Sequence, residues 1–156
     1  MITIYTDGAA RGNPGKGGYG IVMMYNQHVK ELSQGFRYTT NNRMELLSVI
    51  VALETLKKEN MEVTIFTDSK YVVDAIEKNW IWGWQNKHFQ KVKNPDLWRR
   101  FLEIYQRHKV KFVWVKGHAD NPYNNRCDEL ATTAADGYNH QIDSWYEKNK
   151  NNNGLF

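Results

Sequence analysis

The stretch MITIYTDGAARGNPGKGGYGIVMMY (residues 1–25) contains the pattern that decides the fold. Met1–Thr6 has the composition of a strand and runs into a segment rich in glycine, Gly8 to Gly18, which predicts a loop. Beyond it, Tyr19–Tyr25 and Val29–Phe36 are predicted to be the two arms of a hairpin. The chain therefore begins with three consecutive strands.

Downstream of the hairpin, helical and strand patterns alternate. Between Asn42 and Lys58 apolar residues recur every three or four positions, which predicts a helix. Two more strands are predicted at Glu62–Thr67 and Val110–Val115. Helices are predicted at about Ser69–Lys78, Trp80–Lys87, Pro95–His108 and Pro122–Ala135. Helical crossovers after a hairpin meander indicate a mixed sheet with helices packed on it.

Length and composition exclude several classes of protein. A chain of 156 residues is the size of one domain, and its 41% hydrophobic and 24% charged residues exclude global disorder. The one cysteine excludes a disulfide framework and a cysteine zinc cage. No apolar run approaches the roughly 18 residues of a membrane span, so we expect a cytoplasmic protein with no membrane partner.

Positive charge is concentrated in one segment. The chain carries a formal charge of +4, but residues 80–111 hold eight Lys or Arg against two acids, a net charge of +6. A basic segment on a slightly acidic body favours a polyanionic partner. From charge alone, a solubilising surface explains the segment equally well.

The same local pattern occurs twice, as Tyr5-Thr6-Asp7-Gly8 and as Phe66-Thr67-Asp68-Ser69. In each, an aspartate ends a predicted strand, and sites in such sheets form outside the carboxyl ends of the strands. Parallel neighbours lie ~4.8 Å apart, so the two carboxylates would repel each other unless a divalent cation such as Mg²⁺ lay between them. Taken singly, Asp7 also fits a turn and Asp68 also fits a helix cap.

Three more residues are candidates for the same site. Glu45 lies in the first turn of its predicted helix, where it could point at the strand ends or complete a capping box with Asn42. Asp128 lies beside the apolar stripe of its helix, where a lone acid also fits solvated surface. His118 follows a strand end, where it could carry a proton near neutral pH or be an ordinary surface residue.

As a set, these segments resemble type 1 ribonuclease H, and the resemblance runs from about Ile2 to about Asp136. A bare Thr-Asp-Gly would be a weak signal, but this set of segments in order is a specific one. The segments are Tyr5-Thr6-Asp7-Gly8, Gly12-Asn13-Pro14-Gly15, Gly17-Gly18-Tyr19-Gly20, Thr39-Thr40-Asn41-Asn42-Arg43-Met44-Glu45, Thr67-Asp68-Ser69, Trp114-Val115-Lys116-Gly117-His118 and Asn125-Arg126-Cys127-Asp128-Glu129-Leu130-Ala131.

The resemblance implies an α/β fold whose mixed five-stranded sheet has strands 1–3 antiparallel, strands 4 and 5 parallel to strand 1, and helices on both faces. The catalytic domain would cover residues 1–140, with a partly flexible C-terminal extension at residues 141–156. It further implies a monomeric endonuclease that cuts the RNA strand of RNA/DNA hybrids and leaves 5′-phosphate and 3′-hydroxyl ends.

The resemblance also assigns the catalytic residues. Asp7, Glu45, Asp68 and Asp128 fall on the four metal-binding carboxylates of the family, and His118 falls on its catalytic histidine. Two Mg²⁺ ions ~4 Å apart would act at the scissile phosphate, with Mn²⁺ as a possible substitute.

Substrate contacts are implied in two regions. Asn13, Asn41 and Asn42 match positions that read both strands in the minor groove, where the 2′-hydroxyl distinguishes RNA from DNA. Thr40 and Arg43 are predicted phosphate contacts. Lys70 departs from the family, since it stands where many relatives have a glutamine that reads a base edge, and it is predicted to contact phosphate instead. The segment from residue 80 to residue 93 corresponds to the basic protrusion of the family, and its predicted contacts with the DNA strand are Trp80, Trp84 and Lys87.

Other functions explain part of the pattern. A transposase or junction resolvase gathers acids on a similar sheet but is not expected to combine the Asn41-Asn42 pair, the basic protrusion and the histidine loop. A nucleic-acid-binding module without activity would treat each acid as a cap or a turn, which requires four coincidences. A glycosidase would need two carboxylates, no metal and no basic segment.

Overall fold

The computed structural model describes residues 1–116 and 121–150, which form one sheet with helices on both of its faces. The predicted order of strands and helices is confirmed. The strands are β1 (Ile2–Ala10), β2 (Gly15–Tyr25), β3 (His28–Thr39), β4 (Glu62–Thr67), β5 (Lys109–Trp114) and β6 (His140–Gln141). The helices are α1 (Asn41–Thr55), α2 (Lys70–Glu77), α3 (Trp80–Asn86), α4 (Pro95–Tyr105), α5 (Pro122–Asp136) and α6 (Ser144–Asn149).

The strand order across the sheet is β5-β4-β1-β2-β3-β6, so the first strand lies in the middle. It pairs antiparallel with β2 and parallel with β4, which in turn pairs parallel with β5. This is the predicted mixed topology. It arises because a hairpin joins β2 to β3, whereas helical crossovers join the parallel strands.

The two faces of the sheet are covered by different helices. On one face, the main core contains Leu46 and Ile50 of α1 together with Trp98 and Phe101 of α4, all fully buried. On the other face, α5 packs on β1 and β2 around a smaller cluster that includes Cys127. In the described part of the chain, no helix combines the length and the apolar character needed to cross a bilayer.

Two glycines let helices approach the sheet at backbone distance. A Cβ at Gly8 of β1 would overlap the backbone of Met44 and Glu45 in α1. A Cβ at Gly20 of β2 would overlap the carbonyl of Cys127 in α5. Glycine inside a strand often marks such a close approach. The first contact sets how near α1 comes to β1 at Gly8, and the second sets how near α5 comes to β2 at Gly20.

The segment rich in glycine is mostly strand, so the prediction of a loop from Gly8 to Gly18 is wrong. The first strand continues to Ala10 and the second begins at Gly15, leaving only residues 11–14 between them. Gly8 and Gly18 are needed because helices pack closely on the strands, whereas Gly12, with a φ of +83°, and Gly15 serve the short turn.

The C-terminal segment joins the sheet, although only five strands were predicted. The sixth strand, β6, has two residues and pairs parallel with β3 at Gly35 and Phe36. The expected boundary at residues 140/141 therefore falls inside this strand. The following helix, α6, is tied to β3 by an ion pair of 2.8 Å between Arg37 and Glu147.

A buried arginine joins three parts of the fold. Arg43 in α1 is 1% exposed, and its guanidinium donates two hydrogen bonds to Asp96 in α4 and two to Asp143 just before α6. All four distances lie between 2.7 and 2.9 Å. The hydroxyl of Thr39 also donates to Asp143, at 2.7 Å. Arg43 is thus the centre of a network that holds the C-terminal segment against α1.

Replacing Arg43 with methionine should lower the free energy of unfolding by about 3 kcal/mol or more, because the buried Asp143 would lose its cation. Urea denaturation measures this directly. Arg107→Met is the matched control, since Arg107, just past the end of α4, makes an exposed ion pair with Glu103 and its loss should cost under about 1 kcal/mol. Equal losses in the two variants would contradict the assigned role of Arg43.

Candidate active site

Three carboxylates from separate elements meet at one end of the parallel strands. Asp7 of β1, Glu45 of α1 and Asp68 after β4 each place an oxygen within 4.8 Å of the others. Asp7 is 5% and Glu45 is 7% exposed, and Asp68 is half-buried. The sequence predicted this convergence, and the structure brings these three residues together.

Strand register and a helix contact produce the cluster. The parallel pairing of β1 with β4 ends at Tyr5 opposite Phe66, and each aspartate comes two residues later. Asp7 therefore lies within β1, whose antiparallel pairing continues to Ala10, and it does not end the strand as expected. Glu45 reaches the two aspartates from α1, because the backbone of α1 at Glu45 packs directly on Gly8.

The structure excludes the alternative roles of the three acids as a turn residue, a capping-box partner and a helix cap. Asp7 is inside a strand and is not a turn residue. The N-cap of α1 is Thr40, whose hydroxyl accepts from the N–H of Arg43, so the proposed capping box of Asn42 with Glu45 is wrong. The N-cap of α2 is Ser69, whose hydroxyl accepts from the N–H of Val72, and not Asp68.

Burial and mutual repulsion raise the pKa values in the cluster. Burial first, and then the charge of Asp68, raise the pKa of Asp7 from 3.8 to about 7. Burial also raises the pKa of Glu45 well above its ordinary value, and the charges of Asp7 and Asp68 add to the effect. Without a bound cation, these raised pKa values therefore favour protonated carboxyl groups on Asp7 and Glu45 near neutral pH.

The donor atoms of the cluster fit a hard divalent cation. One carboxylate oxygen of Glu45, Oε2, is buried without a hydrogen-bond partner in the described structure. Such an atom costs free energy unless a ligand satisfies it. Three carboxylates that offer only oxygen are the ligand type that Mg²⁺ prefers. Asp7, Glu45 and Asp68 are therefore the residues that could hold a metal ion.

The described structure does not place Asp128 or His118 within the cluster of three acids. Asp128 lies half-buried on α5, and its charge contributes to the raised pKa of Asp7, but it is not among the three acids that meet within 4.8 Å. One helical turn earlier, the buried Asn124 has an amide oxygen without a partner among the described residues. His118 lies outside the described residues.

Two of the predicted minor-groove readers, Asn13 and Asn41, are held by hydrogen bonds from backbone N–H groups. The side-chain oxygen of Asn13 accepts from the N–H of Asn41, and that of Asn41 accepts from the N–H of Ala10, both at 2.9 Å. This leaves the NH₂ groups of the two exposed amides as donors for a ligand. Asn42 is exposed beside them, and Thr40 is half-buried beneath.

The structure gives Arg43 a different role from the predicted phosphate contact. Its guanidinium is buried and engaged by Asp96 and Asp143, so it faces the protein interior and not a ligand. The motif that surrounds Arg43 could not reveal this, because both partners lie far away in the sequence.

Lys70 and Trp114 form an exposed pair beside the acids. The ammonium of Lys70 lies 4.5 Å from the centre of the Trp114 ring, a cation–π contact. The indole N–H of Trp114 donates to the backbone carbonyl of Asp68 at 3.2 Å. Sequence reasoning selected Lys70 but overlooked Trp114, which looks like an ordinary strand residue there.

The two tryptophans of α3 have different environments. Trp80 is 47% exposed, whereas Trp84 is half-buried against the core residue Trp98, 5.2 Å between ring centres. Their rings lie 6.4 Å apart on one face of the helix, because residues four apart in a helix are neighbours. Lys87 is exposed at the end of α3. Of the two tryptophans, Trp80 is thus the one available to a ligand.

The chain is similar in sequence to known ribonucleases H. Residues 1–136 match the family described as RNase H. The ribonuclease H of Desulforamulus reducens is 58% identical over 147 residues, covering 91% of this chain and 92% of that protein. The ribonuclease H of Rippkaea orientalis is 53% identical over 151 residues, covering 94% and 92%.

Solved structures give the same answer. LC9-RNase H1, described as a type 1 RNase H with the type 2 active-site motif, matches with a TM-score of 0.79 at 30% identity, covering 94% of this chain and 79% of its own. LC11-RNase H1, solved in complex with an RNA/DNA hybrid, matches with a TM-score of 0.65 at 32% identity, covering 87% and 97%. With acids of β1, α1 and the residue after β4 gathered where the parallel pairing of β1 with β4 ends, this chain belongs to the ribonuclease H family.

Proposed function

We propose that this protein is an endonuclease that hydrolyses the RNA strand of RNA/DNA hybrids and leaves 5′-phosphate and 3′-hydroxyl ends. The observation that carries the proposal is the buried cluster of Asp7, Glu45 and Asp68 in a chain of this family. The similar LC11-RNase H1 has been solved with such a hybrid, which supports the same substrate here.

The proposed cofactor is Mg²⁺, with Mn²⁺ as a possible substitute and two ions during catalysis. Asp7, Glu45 and Asp68 would hold the metal, and Asp128 would complete the set from α5. When bound, such ions supply an activated water and stabilise the leaving oxygen. The unpartnered Oε2 of Glu45 supports a cation at this place.

Five further residues are proposed to orient the substrate or to move protons. The NH₂ groups of Asn13 and Asn41 are positioned to donate to acceptors in the minor groove of the hybrid. Lys70 and Trp114 lie beside Asp68, where a cation and a ring can hold the strand next to the acids. His118 is proposed to assist proton transfer and the departure of the product.

Selection of a hybrid follows from the chemistry of the groove that the asparagines face. A shallow minor groove presents 2′-hydroxyls on the RNA strand only, and each is both donor and acceptor. Amide side chains can meet both needs. The basic segment adds affinity for phosphates without sequence preference. We further propose that the protein works as a monomer in the cytoplasm.

Cleavage of four labelled substrates tests this proposal: RNA/DNA, RNA/RNA, DNA/DNA and single-stranded RNA. We expect cleavage of the RNA strand of the hybrid only, with Mg²⁺ and not with EDTA. Binding of the hybrid without cleavage in Mg²⁺ or Mn²⁺ would favour the binding module without activity. Cleavage in EDTA would exclude a metal-dependent nuclease.

Asp7→Asn should reduce hybrid cleavage by at least about a thousandfold, because the amide removes a charged ligand from the cluster. Circular dichroism should show an intact fold. Asp74→Asn is the matched control, since Asp74 lies on α2 outside the cluster and pairs weakly with Lys78, at 3.7 Å. Turnover of Asp7→Asn close to that of the control would contradict the assignment of Asp7.

Stability without metal should fall as the pH rises toward and through 7. The folded protein holds a proton on Asp7 up to about pH 7, whereas the unfolded chain releases it near pH 4, so deprotonation favours unfolding. At pH 8 in EDTA, Asp7→Asn should therefore be more stable than the wild type by on the order of 2 kcal/mol.

Thermal melts of the two proteins at pH 5.5 and pH 8 measure this difference. Mg²⁺ should raise the melting temperature of the wild type at pH 8 more than that of Asp7→Asn, because only the wild type regains its charged ligand. Equal pH dependence and equal response to Mg²⁺ in the two proteins would show that the cluster is not repulsive.

A further inference from the structure

We call the predicted minor-groove contacts Asn13, Asn41 and Asn42 the asparagine readers. A groove of about 820 Å³ lies between them and the C-terminal helix α6. One wall contains Asn13, Thr40 and Asn42. A second wall comes from residues 91–95, at the end of the basic protrusion and the start of α4. The helix α6 supplies the third wall. The first two walls belong to regions that the proposed function already uses, whereas α6 has no assigned role.

The groove is basic and lined by hydrogen-bond donors. Lys91, Lys93 and Lys150 line it, and Asn149 adds an amide. None of the described residues that line it is acidic. Two acids outside this lining, Asp96 and Asp143, are both engaged by the guanidinium of Arg43, which offsets one of their two negative charges. This combination suits an extended anion with several phosphates.

The third wall is fixed before any ligand arrives. The guanidinium of Arg43 lies 5.0 Å from the centre of the Trp145 ring, under the first turn of α6. The carboxylate of Glu147 pairs with Arg37 of β3, and the ammonium of Lys150 lies 4.6 Å from the centre of the Tyr38 ring. Because these contacts order α6 in advance, the entropic cost of using its surface for binding is small.

We propose that α6 is part of the nucleic-acid interface and that Lys150 contacts the phosphodiester backbone of the bound hybrid. This inference rests on the proposed function and extends it to α6, which follows the residues 1–136 that match the RNase H family. The backbone would run from the asparagine readers along the groove, between Lys91 and Lys93 on one side and Lys150 on the other.

Size and continuity favour a nucleic-acid backbone over other anions. A single phosphate would occupy a small part of 820 Å³, whereas a few nucleotides would follow the groove. The wall formed by Asn13, Thr40 and Asn42 is continuous with the predicted minor-groove contacts. An acidic protein surface is the alternative occupant, and the salt dependence of hybrid binding distinguishes it.

The test uses two lysines of the same C-terminal segment. Lys150→Met removes the charge that lines the groove, and Lys148→Met removes an exposed charge of α6 that does not line it. Binding of a labelled hybrid is followed by fluorescence anisotropy in EDTA over a series of salt concentrations. Lys150→Arg keeps the charge and serves as the rescue variant.

We expect Lys150→Met to weaken binding about threefold to tenfold at low salt and to reduce the slope of log K against log salt by about one. Lys148→Met should leave the slope unchanged, and Lys150→Arg should restore it. A merely structural role of Lys150 would lower the melting temperature without changing the slope.

Two results would overturn the inference. If the wild type cuts the hybrid and Lys150→Met binds it like Lys148→Met, α6 lies outside the interface and the proposed function stands. If the wild type neither binds nor cuts the hybrid, the proposed function fails and the inference fails with it. If Lys150→Met leaves hybrid binding unchanged, an acidic protein surface becomes the favoured occupant of the groove.

Discussion

Repulsion among three closely spaced carboxylates, two of them buried and one half-buried, sets the main demand on the architecture of this protein. Asp7, Glu45 and Asp68 lie within 4.8 Å of one another, and burial deprives them of the water that would screen their charges. The pKa values of Asp7 and Glu45 rise as a result. The fold must therefore hold together groups that repel one another. A bound cation would remove this repulsion, so the same arrangement favours binding of the cation.

The surrounding structure keeps the acids in place from three directions. Parallel pairing of β1 with β4 sets the two aspartates at equivalent positions, and the absence of a side chain at Gly8 lets α1 bring Glu45 close. Two residues before Glu45, Arg43 ties the same helix turn to α4 and to the C-terminal segment. The network of Arg43 thus connects the active-site helix to the wall of the basic groove.

Local sequence patterns predicted the elements and the acids well. The bounds of β4 agree with prediction, and the repeated Thr-Asp pattern located Asp7 and Asp68 because parallel strands end at the same edge. Long-range partners could not be predicted. Arg43 stands in a segment of polar candidates, and only the tertiary structure brings Asp143 to it. The strand β6 has two residues, too few for a periodic signal.

The repulsion within the carboxylate cluster can be measured through the pKa values of Asp7 and Glu45. In metal-free protein, the side-chain carboxyl carbons of Asp7 and Glu45 can be followed by carbon-13 NMR from pH 3 to pH 9. We expect at least one of the two to titrate near or above pH 7 and Mg²⁺ to move this titration to lower pH. Ordinary titration of both groups near pH 4 without metal would contradict this expectation.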